Sequence, residues 1–269
     1  MKVIISHDVD HISVVEHKKD LIIPKFWCRS LIEFSLGYIS YPETRSRLSD
    51  FFHNKWNNLE ELMKFDKEKD IPSIFFIGVS KGNGLSYSLK DAGFWIKKIL
   101  GEGFEVGVHG IAFESHADIK LEYEIFKKIS GLDRFGMRMH YLRANNETFK
   151  MFDKVGYIYD SSVYDIKNPF KIGNLCEFPL CLMDGYIVYR NSHYQNQNLK
   201  QMKEITKELI EIAFKKNLKY FTLLFHDRYF SNSFESCKGW YFWVTEFFKH
   251  NGFEFINYTE AIKELERGK

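Results

Sequence analysis

The chain has 269 residues, 45% of them hydrophobic and 28% charged, a globular composition that excludes a disordered tail, a collagen or a coiled-coil rod. Lys and Arg (38) nearly balance Asp and Glu (36), leaving a net charge of +2 without the basic excess expected of a nucleic-acid binder. Aromatic residues reach 17%, with 26 Phe, 15 Tyr and 5 Trp, a surplus suited either to a large core or to a ligand cleft.

The opening run Val3-Ile4-Ile5 stops at Ser6-His7-Asp8, short of the roughly 7–15 apolar residues of a secretory signal. No stretch reaches the roughly 18 apolar residues of a membrane span. The cysteines Cys28, Cys176, Cys181 and Cys237 contain no C-x-x-C pair. A cytoplasmic protein with buried thiols and no transmembrane segment is the expectation.

In chain order, residues 3–6 read as a buried strand. Residues 20–60 then break the pattern with a bulky run (Phe26, Trp27, Leu31, Ile32, Phe34, Leu36, Tyr38, Ile39) and a second helical stretch from about Arg45 to Phe65. This predicts a helical insertion, packed outside the sheet or serving as a lid, a partner surface or a membrane contact. Further strands are predicted at 73–79, 104–108, 136–140 and 220–225. Between and after them, helical faces recur through Leu89-Ala92-Ile96-Ile99, Ile119-Tyr123-Phe126-Ile129, Leu199-Met202-Ile205-Leu209-Ile212 and Trp240-Val244-Phe247. Such alternation predicts an α/β fold with a mostly parallel sheet, open or closed into a barrel, whose chemistry collects at strand ends.

Four strand ends carry polar clusters. In His7-Asp8-Val9-Asp10-His11, alternation puts Asp8 and Asp10 on one face, where two carboxylates repel unless a cation or proton lies between them. Gly107-Val108-His109-Gly110 brings a histidine between glycines that allow close approach. Arg138 and His140 share a face of Gly136-Met137-Arg138-Met139-His140-Tyr141, and Leu224-Phe225-His226-Asp227 ends the fourth strand. An acid or imidazole at four equivalent positions points to a metal hydrolase site.

The order of these motifs resembles the polysaccharide deacetylases of the NodB-homology group, carbohydrate esterase family four, over most of the chain outside 20–60. The resemblance implies one domain spanning 1–269, a distorted (β/α) barrel with a helical insertion after the first strand. It implies a metal-dependent hydrolase that removes an N-acetyl or similar small acyl group from a sugar or glycan precursor. Carried onto this chain, Asp8 is the base, Asp10 and His109 are metal ligands, Arg138 orients the base, and His226 is the general acid, with Asp227 beside it. The stretch Gly156-Tyr157-Ile158-Tyr159-Asp160-Ser161-Ser162 is similar to the family's glycine-tyrosine strand and its aspartate-serine turn. The family's second motif has another histidine where this chain has Phe113. The third ligand then falls to His140, from a strand end, ahead of His116, at a helix start, with His11 after both. The cation is a divalent metal, zinc before cobalt, nickel or manganese.

Tyr141, Asp160 and Trp240 are the candidate substrate-binding residues, with Tyr159, Phe170 and the 26–41 run as further aromatics for a sugar wall and lid. Phe75, Phe76, Phe126, Phe152, Phe225 and Phe247 are assigned to the core. The expected partner is an acetylated sugar, a nucleotide-sugar or another glycan precursor, not nucleic acid. Two other readings keep the fold: a metal-dependent amidase on a non-sugar amide, as in allantoinase-like relatives, and a catalytically silent glycan binder.

Overall fold

Residues 2–9 alternate between two environments, and that alternation organises the molecule. Val3, Ile5 and Val9 pack with the surrounding helices, while Ile4 packs into a separate cluster inside the sheet. The structure, a computed structural model, describes residues 1–145 and 147–267.

The strands are β1 (Lys2–Val9), β2 (Ile74–Ile77), β3 (Glu105–Gly110), β4 (Met137–Met139), β5 (Tyr159–Asp160), β6 (Phe170–Ile172), β7 (Leu175–Glu177), β8 (Leu182–Met183), β9 (Tyr220–Leu224) and β10 (Glu254–Phe255). The helices are α1 (Ile22–Ser35), α2 (Tyr41–Ser49), α3 (Leu59–Glu68), α4 (Leu89–Gly101), α5 (His116–Ser130), α6 (Thr148–Val155), α7 (Asp184–Tyr189), α8 (Leu199–Lys215), α9 (Glu235–His250) and α10 (Tyr258–Arg267). The sheet runs β6-β7-β5-β4-β3-β2-β1-β9-β8, with β10 added beside the start of β1. Among the described strands, β6 and β7 pair antiparallel and the other pairings are parallel, as crossover helices require.

One bent segment joins the two ends of the sheet. Phe178 N donates to Asp160 O (2.9 Å) on the β5 side, and three residues later Cys181 N donates to Thr222 O (3.1 Å) on β9. The result is an α/β barrel, distorted at the Pro179 bend. Its lower interior holds Ile4, Phe76, Tyr159 and Phe178, sealed by Tyr258, Ala261 and Ile262 of α10. Tyr258 stacks on Tyr159 with ring centroids 4.5 Å apart. Tyr159 therefore fills the barrel rather than a sugar wall, and Phe170 lies on the β6 edge.

The predicted strands coincide with β1, β2, β3, β4 and β9, and the four predicted helical faces with α4, α5, α8 and α9. The insertion after β1 is present as α1 and α2. Its second helix ends at Ser49 instead of running on to Phe65: Asn54 takes a left-handed φ of 50°, and a new helix, α3, starts at Leu59 and buries Leu62, Met63 and Asp66 against the barrel. Cys28 is exposed on α1, against the expectation of buried thiols, whereas Cys181 and Cys237 are buried. The insertion is fixed by Arg47, fully buried, which donates to Glu33 Oε2 and Glu43 Oε1 (each 2.6 Å), Gln195 Oε1 (2.6 Å) and Ser233 O (2.7 Å). One guanidinium thus ties α1 and α2 to the loop after α7 and the turn before α9.

Candidate active site

The upper ends of β1, β3, β4 and β9 deliver their polar residues into one cavity of about 820 Å³. Asp8, Asp10, His109, His140, Tyr141 and His226 all line it. Asp8 and Asp10 share the inward face of β1, as alternation requires, while His7 points outward and bridges Phe225 O (2.8 Å) and Asp66 Oδ2 (2.9 Å).

Three side chains converge at the mouth. His109 Nε2 lies 3.2 Å from Asp10 Oδ1 and 2.9 Å from His140 Nδ1, and His140 Nδ1 lies 3.3 Å from the same Asp10 oxygen. Each imidazole uses its far nitrogen on a backbone carbonyl: His109 Nδ1 on Arg138 O (3.2 Å) and His140 Nε2 on Asn83 O (3.1 Å). A carbonyl only accepts, so those far nitrogens carry the protons and the near ones present lone pairs to each other and to a carboxylate. Lone pairs gathered this way call for a cation, and backbone carbonyls behind the ring N–H groups are the usual outer support of a metal-bound histidine. Two imidazoles and a carboxylate fit a divalent, zinc-type ion.

His116, the alternative ligand, stands exposed at the first turn of α5 and does not line the cavity. His11 lines the cavity but turns towards Glu16 and His17.

Asp8 sits beside the cluster, its Oδ2 3.8 Å from His109 Nδ1. Arg138 approaches from inside the barrel and donates through Nη1 to Asp8 Oδ1 (3.2 Å) and Ser6 Oγ (2.7 Å). Its Nε reaches Ser161 O (2.9 Å), and its Nη2 reaches Ser161 Oγ (2.9 Å) and Tyr258 Oη (3.0 Å). Every branch of the guanidinium is engaged, so it is a fixed positive charge under Asp8.

Across the cavity, His226 Nδ1 lies 2.8 Å from Asp184 Oδ1, and the His226 amide donates to Asp184 Oδ2 (2.6 Å). Burial opposes the charged imidazole, but the Asp184 carboxylate more than offsets it, and the His226 pKa rises to about 10. The opposite nitrogen, Nε2, faces the cavity 3.7 Å from Asp10 Oδ2. The sequence pointed to Asp227 as the neighbour of His226. Asp227 instead turns away to accept from Asn58 N (3.2 Å), because consecutive residues at a strand end face opposite ways, and burial lifts its pKa to about 8. Asp184 was missed. The available signal was an acid placed directly after the two-residue strand β8, the same position that the other site residues occupy.

Two candidate substrate residues lie elsewhere. Trp240 is fully buried on α9 and donates to Thr206 Oγ1 (2.8 Å), so its helical position turns it to the core and away from the cavity. Asp160 is also fully buried. It accepts from Ser162 Oγ (2.7 Å), and that hydroxyl in turn accepts from the Met139 amide (2.8 Å), so Asp160 supports the β4 end from behind. Tyr141 does stand at the mouth, exposed, with its ring 4.1 Å from that of His140. Tyr141 and Leu142 take left-handed φ values of 60° and 53°, consecutive backbone strain of the kind that gathers at functional loops. Tyr164, Tyr186, Tyr189 and Tyr229 complete an aromatic wall.

The outer cavity wall is cationic. Arg29, Arg190 and Arg228 line it, and none has a carboxylate partner among the described residues. Arg228 Nε is buried without a hydrogen-bond partner among the described residues, its guanidinium lying 5.3 Å from the Phe26 ring and 5.1 Å from that of Trp56.

No family model and no curated protein matches the chain by sequence. Solved structures do match by shape. A Mycobacterium smegmatis protein named as a polysaccharide deacetylase superposes with a TM-score of 0.66 at 15% identity, covering 99% of this chain and 90% of its own. A Pseudomonas aeruginosa PAO1 protein named likewise gives 0.61 at 13% identity, with 99% and 90% covered. The Puue allantoinase gives 0.60 at 12% identity, with 96% and 87% covered. The fold of this chain is that of the polysaccharide deacetylases, as the sequence motifs implied.

Proposed function

We propose that the protein is a metal-dependent hydrolase that removes an N-acetyl or similar small acyl group from a sugar precursor in surface-glycan assembly, in the cytoplasm. The observation that carries this reading is one cavity holding a buried carboxylate on an arginine, a carboxylate-bis-imidazole cluster and an imidazole held protonated by an aspartate. A divalent ion, zinc by the donor set, held by Asp10, His109 and His140 supplies Lewis acidity towards the acyl carbonyl and the attacking water. The protein's own groups move the protons. Asp8 takes the proton of the water as its oxygen bonds to the acyl carbon, and Arg138, donating to Asp8 Oδ1, holds it in position. His226 gives its Nε2 proton to the amine nitrogen as the C–N bond breaks, leaving acetate and a free amino sugar. The Tyr141 ring and the neighbouring tyrosines suit the apolar face of a pyranose.

The arginine wall favours a sugar that carries phosphate, as a sugar nucleotide or a phosphate-linked intermediate does, over a neutral polymer. Guanidinium groups without carboxylate partners are matched by phosphate oxygens. The test is acetate release from N-acetylated sugar phosphates and sugar nucleotides by the purified protein. Asp8→Asn and His226→Ala are each expected to lower turnover by about 100-fold or more. Full activity in either variant contradicts these roles, and exclusive activity on neutral polymers contradicts the precursor.

A further inference from the structure

A second cluster of donor atoms lies outside this machinery, in the turn that leads from β1 into α1. We propose that His11, Glu16 and His17 form a second divalent-cation site, separate from the barrel-mouth cluster. His11 Nδ1 and His17 Nε2 are 2.9 Å apart, His17 Nε2 is 3.1 Å from Glu16 Oε1, and His11 Nδ1 is 3.7 Å from that same oxygen. Ligand atoms about 2.0–2.1 Å from a tetrahedral ion are separated by roughly 3.4 Å, so the triangle has the size of one face of such a site. The three edges at the barrel mouth, 2.9, 3.2 and 3.3 Å, are of the same kind.

The surroundings are built for it. His17 Nδ1 faces Asp20 Oδ2 at 2.8 Å, so that nitrogen carries the proton and Nε2 turns its lone pair towards Glu16 and His11. A carboxylate behind a ring N–H, raising the basicity of the other nitrogen, is the common support of a metal-bound imidazole. Glu16 is fixed by the amides of Ser13 (2.9 Å, Oε2) and Ile12 (3.2 Å, Oε1). The His11 ring stacks on Trp56, with centroids 4.4 Å apart and planes 16° from parallel. His11 and His17 are buried, so water has little access to the donor atoms that face Glu16. Two nitrogens and one carboxylate oxygen select a borderline ion such as zinc, cobalt or nickel over magnesium or calcium. All three ligands fall within seven residues that open the insertion, so a bound ion would pin its first turn against Trp56.

The experiment is metal content and zinc titration of the full chain after chelator treatment. Wild type should take up two equivalents of zinc, His17→Ala and Glu16→Gln one, His109→Ala one, and the His17→Ala/His109→Ala double variant none. Glu16→Gln keeps the side-chain size, so it serves if His17→Ala does not fold. A single equivalent in wild type that His109→Ala abolishes, or two equivalents retained in both His17→Ala and Glu16→Gln, overturns the proposal. A single equivalent that survives His109→Ala and disappears in His17→Ala supports it and counts against the barrel-mouth ion instead, so the two sites stand or fall separately.

Discussion

Asp184 is the residue whose removal says most about the proposed acid. Its carboxylate holds His226 in position through both the ring and the backbone amide. Asp184→Asn is expected to lower kcat by one to two orders of magnitude, the scale of a general acid that has lost its orientation, with little change in KM. A kcat equal to wild type would remove Asp184 from the account. Glu122 makes a separate prediction about stability. It accepts from the amides of Ile111 and Ala112 and is buried, and burial lifts its pKa from 4.5 to about 7. The folded state then keeps a proton that the unfolded state releases across that window, so this group's contribution lowers stability as pH rises from about 4.5 to 7 and is level above. Urea midpoints should show that slope in wild type relative to Glu122→Gln; parallel curves would contradict it. Among the site residues that the sequence exposed, Asp8, Asp10, His109 and His226 stand at the ends of strands long enough for a period to be read, whereas Arg138 and His140, at the three-residue β4, stood out through the motif Gly136-Met137-Arg138-Met139-His140-Tyr141. Asp184 follows a strand of two residues, and Trp240 was misassigned because an aromatic on a helix carries no mark of which face it takes.

At the level of elements, the insertion is held by charge as much as by apolar contact. Arg47 is fully buried between Glu33 and Glu43, and removing it leaves carboxylates without a partner. Arg47→Ala is expected to cost about 3–5 kcal/mol, measured by urea unfolding. A loss under ~1 kcal/mol would show that α1 and α2 are anchored by other contacts. The apolar run read from the sequence divides accordingly. Phe26 turns inward against Trp56 (ring centroids 5.9 Å apart) and Phe234, whereas Trp27, Leu31, Phe34 and Leu36 remain exposed on the outer side of α1. The presence of this insertion was legible as a break in the strand-helix rhythm. Its clamp was not, because the partners of Arg47 come from positions as distant in sequence as Gln195 and Ser233. Strands β6 to β8 and β10 escaped notice because two or three residues hold no period, and β5 was legible only through the resemblance of residues 156–162 to the family's glycine-tyrosine strand.

Over the whole molecule, composition concealed two uneven distributions. The net charge of +2 contains a cavity wall with three arginines that have no carboxylate partners among the described residues, so near-neutrality does not make the site neutral. The aromatic surplus is split between the barrel filling (Phe76, Tyr159, Phe178, Tyr258), the helix-facing core and the tyrosines of the mouth. Both follow from a parallel barrel with one end sealed by α10 and the other left open at the strand ends, where loops collect the reactive groups. The proposed function requires Asp10, His109 and His140 to hold a divalent ion needed for deacylation. The most direct measurement is acetate release from an N-acetylated sugar phosphate by protein stripped with chelator and then reloaded with zinc. Activity should be lost on stripping and recovered on reloading in wild type, with no recovery in His140→Ala. Undiminished turnover in the stripped protein, or recovery in His140→Ala equal to wild type, would contradict it.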